Sequence, residues 1–331
     1  MTTILLTHAA DARGLYYGEA ALARLRELGE VRLNQTGQAL AAAQLIELGR
    51  GCQIIVSDRM SAGPAAVFEQ LPELVAFVRC AVDIRNVDVG AASASGVLVT
   101  RASPGFVDAV AELVVGYMVD LARGISAATI AYRAGTAPAV RMGRQLRGST
   151  LGIIGYGHIG TRLARLGVAL GMRVLINDPH VQVVEAELTQ TDLATLLAEA
   201  DFVSVLAVAT AATENLIGAE ELGWMKASAF LINVARGNLI DEAALETALS
   251  EGLIAGCAID VGRAPDQMPS PHLARLQNVL ATPHIGGLVP QAIAHQALET
   301  TRQVAAIVDG RAPPGAVNPE RATRLARRRR N

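Results

Sequence analysis

Lysine is all but missing from this 331-residue chain: Lys226 is the only one, and arginine carries nearly all the positive charge. That bias is read as compositional, without functional content. An excess of either charge sign is missing too. The formal net charge is −2, so there is no global electrostatic case for a nucleic-acid or membrane-surface partner. Cysteine is scarce. Cys52, Cys80 and Cys257 lie far apart, odd in number and without metal-ligand spacing, and read as buried thiols of a reducing compartment. No metal site is expected. No uncharged apolar run reaches the ~20 residues of a membrane span. The opening MTTILLTHAA has no basic stretch, and its apolar run is too short for a secretory signal. A cytoplasmic location is expected. There is no internal repeat at ~20–50 residues.

Apolar residues are abundant, at 51%. The chain exceeds the ~250–300 residues at which one core stops growing, so two domains are expected. Short apolar runs alternate with amphipathic ones: TILLTH (3–8) as strand, GEAALARLRELGE (18–30) as helix, CQIIVSD (52–58) as strand, and AAVFEQLPELVAFVR (65–79) as helix then strand. Such alternation predicts an α/β fold with parallel sheets. FVDAVAELVVGYMVDLARGI (106–125) predicts a long helix, with Val107, Val110, Val114, Met118 and Leu121 on one face. AYRAGTAPAVRMGRQLRGS (131–149) reads as an irregular connection, and a second strand–helix series runs from TLGIIGYG (150–157) to about residue 285. RATRLARRRRN (321–331) reads as a solvated, disordered tail.

The most informative stretch is TLGIIGYGHIGTRLARLGVALGMRVLINDPH (150–180). Gly155, Gly157 and Gly160 form G-x-G-x-x-G between an apolar strand and a helix. Gly155 permits the tight turn, Gly157 the approach of a pyrophosphate, and Gly160 close packing of helix on strand. The helix N-terminus offers free N–H groups and the positive end of its dipole. Asp178, at the end of the next strand, can accept both adenosine ribose hydroxyls and repels a 2′-phosphate, which favours NAD over NADP.

Three later segments add chemistry. AFLINVARGNLIDEAAL (229–245) places Arg236 at the end of a strand, where a guanidinium can grip a carboxylate in bidentate fashion or form a surface ion pair. LATPHIGG (280–287) places His284 after another strand; it suits proton transfer at neutral pH, or serves as a structural histidine. Asp260 ends AGCAID, where it contacts a nicotinamide carboxamide or caps the next turn.

Together these segments resemble the D-isomer-specific 2-hydroxyacid dehydrogenase family, which includes phosphoglycerate dehydrogenases and glyoxylate/hydroxypyruvate reductases. NVDVGAASASGVLVT (86–100), SPGFVDAVAELVVGYMVDLAR (103–123), GYGHIG, INVARGNLIDEAAL and NVLATPHIGG follow the family's order over nearly the whole chain. The resemblance implies two Rossmann-like or flavodoxin-like domains with a cleft between them: a split substrate-binding domain (1–101 and 286–318) around an NAD-binding domain (102–285), followed by a basic tail (319–331). It implies that Arg236 binds the substrate carboxylate and carbonyl, and that His284 gives and retakes the proton at the carbonyl oxygen. The amides of His158 and Ile159 hold the pyrophosphate. Val234 to Arg236 and Asp260 surround the nicotinamide half, and Thr210 and Gly286 belong to the cofactor site as well. A homodimer through the NAD domain is implied as well.

Two places depart from the family. A Glu before a Pro usually pairs with the histidine; here the loop reads DVGRAP and the position falls on Ala264, with one residue deleted. Asp266, two positions later, reaches His284 only if the loop folds back. The family's glycine-rich substrate loop is AVDIRN (81–86) here. Ala81, Val82, Asp83 and Arg85 stand at the substrate positions, Asp83 replacing a glycine and Arg85 the usual Asp. Asp83 pairs with an arginine or serves as the missing acid. The expectation is therefore an NAD-dependent oxidoreductase for a small D-2-hydroxy or 2-oxo acid. The alternative is an NAD(H)-binding redox sensor or assembly protein with little catalysis.

Overall fold

Runs of Ile, Val and Leu with no polar alternation become strands buried on both faces. The structure, a computed structural model, describes residues 2–328, less the side chains of Asp266 and Arg328. It divides into two units, Met1–Gly105 with Val289–Asn331, and Phe106–Leu288.

The first unit holds strands β1 (Thr3–Leu6), β2 (Glu30–Leu33), β3 (Ile54–Ser57), β4 (Ala76–Arg79) and β5 (Leu98–Arg101), all parallel in the order β2-β1-β3-β4-β5. This is the flavodoxin-like winding. Side chains alternate between two cores: Ile4, Leu6, Ile54, Val56 and Val78 face one way, Leu5, Ile55, Phe77 and Val99 the other.

The second unit holds β6 (Thr150–Ile154), β7 (Arg173–Asn177), β8 (Leu188–Gln190), β9 (Phe202–Val205), β10 (Phe230–Asn233), β11 (Gly256–Ile259) and β12 (Val279–Ala281). Their order is β12-β11-β10-β9-β6-β7-β8, all parallel. The chain winds outward from β6 to β8, then returns to β9 and winds the other way. That reversal makes a switch point between β6 and β9, where the carboxyl ends of the strands leave a ligand crevice. The predicted long helix is Val107–Arg123, with Val110, Val114, Tyr117, Met118 and Leu121 buried against this sheet. A second helix, Ile125–Arg133, extends into the stretch read as irregular. Among the described residues no single helix is long and apolar enough to cross a membrane; these two pass a length-and-composition test only as a pair bent by 67°.

The unit boundaries fall at 105/106 and 288/289, against 101/102 and 285/286 expected. Hydrogen bonds account for the shift. Ala102 and Ser103 are tied to Ala81 and Glu299 in the first unit, while Ile285 and Gly286 are tied to Asp260 in the second. The expected tail is also folded over much of its length. Pro319–Arg321 forms a turn of 3₁₀ helix and Thr323–Arg328 an α-helix. Ala322 and Leu325 join the core, and Arg324 donates to the carbonyls of Leu71 and Leu74 at 2.7 and 2.8 Å. The arginine run hid this short apolar face. Residues 329–331 of the tail lie outside the described residues.

Candidate active site

Gly155 turns the chain after β6 with φ of +100°. A Cβ there would come within 2.7 Å of the Leu206 and Ala207 backbone. Gly160 lies in the helix His158–Ala169, where a Cβ would run into the Gly155 carbonyl. The fold itself requires both glycines. Gly157 is different: it is exposed, and nothing lies within 4 Å of a Cβ built on it. It caps the helix His158–Ala169, whose first N–H groups have no intrahelical partner and suit an incoming anion. Asp178, one residue beyond β7, is fixed beside this loop; it accepts from the amides of Tyr156 at 2.7 Å and His180 at 2.8 Å. A cavity of about 510 Å³ opens here, lined by Val107, Tyr156, Gly157, His158, Thr161, Arg162 and Arg165. The helix dipole and two guanidinium groups suit it to an anion. These residues fit a dinucleotide. Gly157→Ala is accordingly expected to leave thermal unfolding unchanged while weakening NADH binding about tenfold or more, the cost of overfilling a close contact. Fluorescence titration beside a melting curve checks both halves, and Gly155→Ala, which should melt early, is the contrast.

Three neighbouring strands supply the rest. Arg236 follows β10, Asp260 follows β11 and His284 follows β12, and these strands pair in that order. Asn233 braces the Arg236 turn: its side chain donates to the Arg236 carbonyl at 2.8 Å and accepts from the Ala235 amide at 3.1 Å. The Arg236 guanidinium donates to the Ala235 carbonyl at 2.6 Å. Gly237 packs so closely on Gly262 that a Cβ would strike its backbone. Val234 is buried, Ala235 and His284 are half-buried, and Gly286 is buried. Thr210 stands exposed before a 3₁₀ turn after β9 and bonds Thr213.

Asp260 is 1% exposed, and its carboxylate is already engaged. It accepts from the Thr282 hydroxyl at 2.5 Å and from the amides of Ile285 and Gly286 at 2.8 Å each. These bonds are not the cap on the next turn that the sequence suggested: they reach 22 to 26 residues ahead, to the turn that carries His284. That turn holds His284 at φ +55°, the left-handed region that few non-glycine residues occupy.

The loop from Val261 to Ser270 does fold back. Gly262 N–H donates to the Gln267 carbonyl at 3.0 Å and Ala264 N–H to the Met268 carbonyl at 3.2 Å. A Cβ at Gly262 would meet the Met268–Pro269 backbone at 2.7 Å, which explains a glycine there. Arg263 anchors the loop through Glu214, Asn215 and the carbonyls of Asn238 and Ile240. Ala264 precedes a 3₁₀ turn, Pro265–Gln267. The side chain of Asp266 lies outside the described residues.

Ala81, Val82, Asp83 and Arg85 belong to the first unit, in the loop after β4. Arg85 grips Asp83 through Nε at 3.0 Å and Nη2 at 2.6 Å. Both Asp83 oxygens are engaged by this arginine, which favours the ion pair over a proton-holding role. Beneath the loop lies a residue that pattern reading missed. Arg79 is fully buried and donates to Asn86 Oδ1 at 2.6 Å and to the Asp58 carbonyl. Burial pulls its pKa down from the usual guanidinium range to about 10, against the opposing pull of Asp58 and Asp83. Asn233, Thr282 and Tyr117 were missed as well. Only the sequence neighbourhoods INVARG and ATPH hinted at the first two.

Residues 115–286 match the sequence family described as D-isomer specific 2-hydroxyacid dehydrogenase, NAD binding domain. The chain is 33% identical over 305 residues to a D-3-phosphoglycerate dehydrogenase of Methanocaldococcus jannaschii, across 91% of this chain and 57% of that protein. It thus spans somewhat over half the length of that relative. To a glyoxylate reductase of Korarchaeum cryptofilum it is 32% identical, across 91% of this chain and 93% of that one. The crystal structure of the TT0316 protein from Thermus thermophilus superposes with a TM-score of 0.86 at 31% identity, across 96% of this chain and all of the other.

Proposed function

The chain belongs to the D-isomer specific 2-hydroxyacid dehydrogenase family, NAD-dependent oxidoreductases acting at a CH–OH group, and we propose that here Arg236 and His284 act on a small D-2-hydroxy or 2-oxo acid. The observation that carries this is the placement of Arg236 and His284 beyond β10 and β12 of the sheet whose β6 runs into the glycine loop. Gly157 and the amides of His158 and Ile159 receive the pyrophosphate, and Asp178 the adenosine ribose. Thr210, Val234, Ala235 and Gly286 line the nicotinamide half. When bound, the nicotinamide supplies the hydride to substrate C2 in reduction and accepts it in oxidation. Arg236 holds the substrate carboxylate and polarises the carbonyl; its fork geometry fits both. His284 delivers a proton to the carbonyl oxygen and recovers it in the reverse direction. Ala81, Val82, Asp83 and Arg85 select the acid, with Asp83 held in an ion pair by Arg85.

The test is NADH oxidation with glyoxylate, hydroxypyruvate and a set of dicarboxylic and phosphorylated 2-oxo acids, with Arg236→Ala as control. Turnover that disappears in the control supports the reading. Ala264 favours one second reading, an NADH-binding sensor or assembly protein with little catalysis. It predicts NADH binding without turnover on any acid at high protein concentration.

Asp178 sets the cofactor preference. Asp178→Ala is expected to narrow the ratio of NADH to NADPH affinity by about tenfold, since a carboxylate no longer faces the 2′-phosphate. Competitive titration of the two cofactors reads it directly. A homodimer is also proposed, through the segment that carries Ile130, Tyr132, Val140 and Met142, each exposed by 66% or more. Large apolar side chains exposed to this degree suit a second copy of the chain. Met142→Asp with Tyr132→Asp should shift the sedimentation coefficient to that of a monomer.

A further inference from the structure

Tyr117 lies on the helix Val107–Arg123, far in sequence from the glycine loop and from Arg236 and His284, yet it bonds into the turn that carries His284. Its hydroxyl meets the Thr282 hydroxyl, and Thr282 in turn donates to Asp260 Oδ1 at 2.5 Å. A threonine hydroxyl has one proton. Thr282 gives that proton to the carboxylate, so Tyr117 must be the donor to Thr282. The chain of bonds has one direction: Tyr117 O–H to Thr282 O–H to Asp260. Asp260 also accepts from the amides of Ile285 and Gly286, the two residues after His284. The His284 amide donates to the Thr282 carbonyl at 2.9 Å, which closes the turn from its other side. Gly286 is wedged against the same parts: a Cβ there would sit 3.0 Å from Asp260 Oδ2 and 3.4 Å from Val110 of the Tyr117 helix.

We propose that Tyr117 is a positioning residue for His284, acting through Thr282 and Asp260, an inference that rests on the proton-transfer role given to His284 above. A backbone held at φ +55° aims the Cα–Cβ bond of a non-glycine residue in a direction that the chain does not adopt unaided. Asp260 supplies the force that holds it, and the two hydroxyls hold Asp260. The clamp acts on the backbone of the turn, and Tyr117 anchors it from the helix packed on the sheet. Burial raises the Tyr117 phenol well above its ordinary range, so it remains a donor at every working pH.

The test compares Tyr117→Phe, Thr282→Val and Thr282→Ser in the full-length protein with glyoxylate and hydroxypyruvate, alongside the ring resonances of His284 in histidine-labelled protein, assigned by their loss in His284→Asn. Tyr117→Phe keeps the buried ring and removes only the hydroxyl. It should lower kcat by about tenfold, within the range that small misplacements cost, with KM and NADH affinity unchanged. Thr282→Ser should restore what Thr282→Val loses. Tyr117→Phe added to Thr282→Val should cost nothing more, since the bond it removes is already gone. The His284 resonance should move or broaden in Tyr117→Phe whether or not either acid is turned over. If kcat in active protein, or the resonance, matches wild type in Tyr117→Phe, the proposal is overturned. Should His284→Asn itself keep full turnover, it is the proton-transfer role of His284 that fails.

Discussion

His284→Asn should reduce kcat by about 10²–10⁴, the usual worth of a positioned acid–base group, while NADH still binds. Asparagine is chosen for the backbone. His284 sits at φ +55°, and asparagine enters the left-handed region more readily than alanine does. The turn should therefore keep its bonds to Asp260, and the loss should report the missing proton donor, not a collapsed loop. His284 is half-buried, on a strand end beside those of Arg236 and Asp260 in the same sheet. Arg236→Ala should fail differently. It should raise KM for the acid as well as lower kcat, because a carboxylate grip acts in ground state and transition state alike. The two signatures, measured with one acid, separate substrate holding from proton transfer. If the histidine variant keeps kcat within twofold while the arginine variant is dead, the acid that protonates the carbonyl is elsewhere.

How much of this was legible beforehand follows from what kind of interaction each residue makes. Parallel strands declare themselves as unbroken apolar runs, and the glycine loop by spacing, because both are local in sequence. β8 (Leu188–Gln190) is too short and too polar to stand out, and it pairs only at the sheet edge. The Asp260 clamp joins residues 22 to 26 apart, and Tyr117 is 165 positions from Thr282. No period or motif encodes such a pairing; it exists only after the helix packs on the sheet. Arg79 hid for the same reason: as a charge ending an apolar strand it looked like a boundary, whereas it is the buried brace of the loop above it. The oddness of DVGRAPDQMPS was legible, but its cause was not. Gly262 is required by the return of Met268 and Pro269, a contact within the loop's own fold.

Acidification should loosen the first unit through one buried histidine. His8, just beyond β1, is 4% exposed, and its ring lies 4.9 Å from that of Tyr17. Burial lowers its pKa from 6.5 to about 4; the Asp58 charge opposes the shift, and Arg13 and Arg79 reinforce it. The folded state thus resists a proton that the unfolded chain accepts. Between those two values the unfolded state binds more protons, so stability rises with pH and falls on acidification through the window. A gap of this size is worth about 3 kcal/mol at ~1.4 kcal/mol per unit. Asp58 acts lower down. Burial alone would raise its pKa, but hydrogen bonds from Thr7 and Ser61 and the charge of His8 outweigh it and hold the carboxyl below 3.8. Its share of stability is therefore lost only under more acidic conditions. The single tryptophan, Trp224, lies in the second unit, so its fluorescence does not report on β1. Hydrogen exchange of peptides covering β1, β3 and β4, corrected for intrinsic rate, does. Protection there should fall steeply between about pH 7 and about pH 4.5. In His8→Gln, which cannot take up the proton, that slope should flatten. Equal slopes in the two proteins would mean that another group carries the acid sensitivity of this unit.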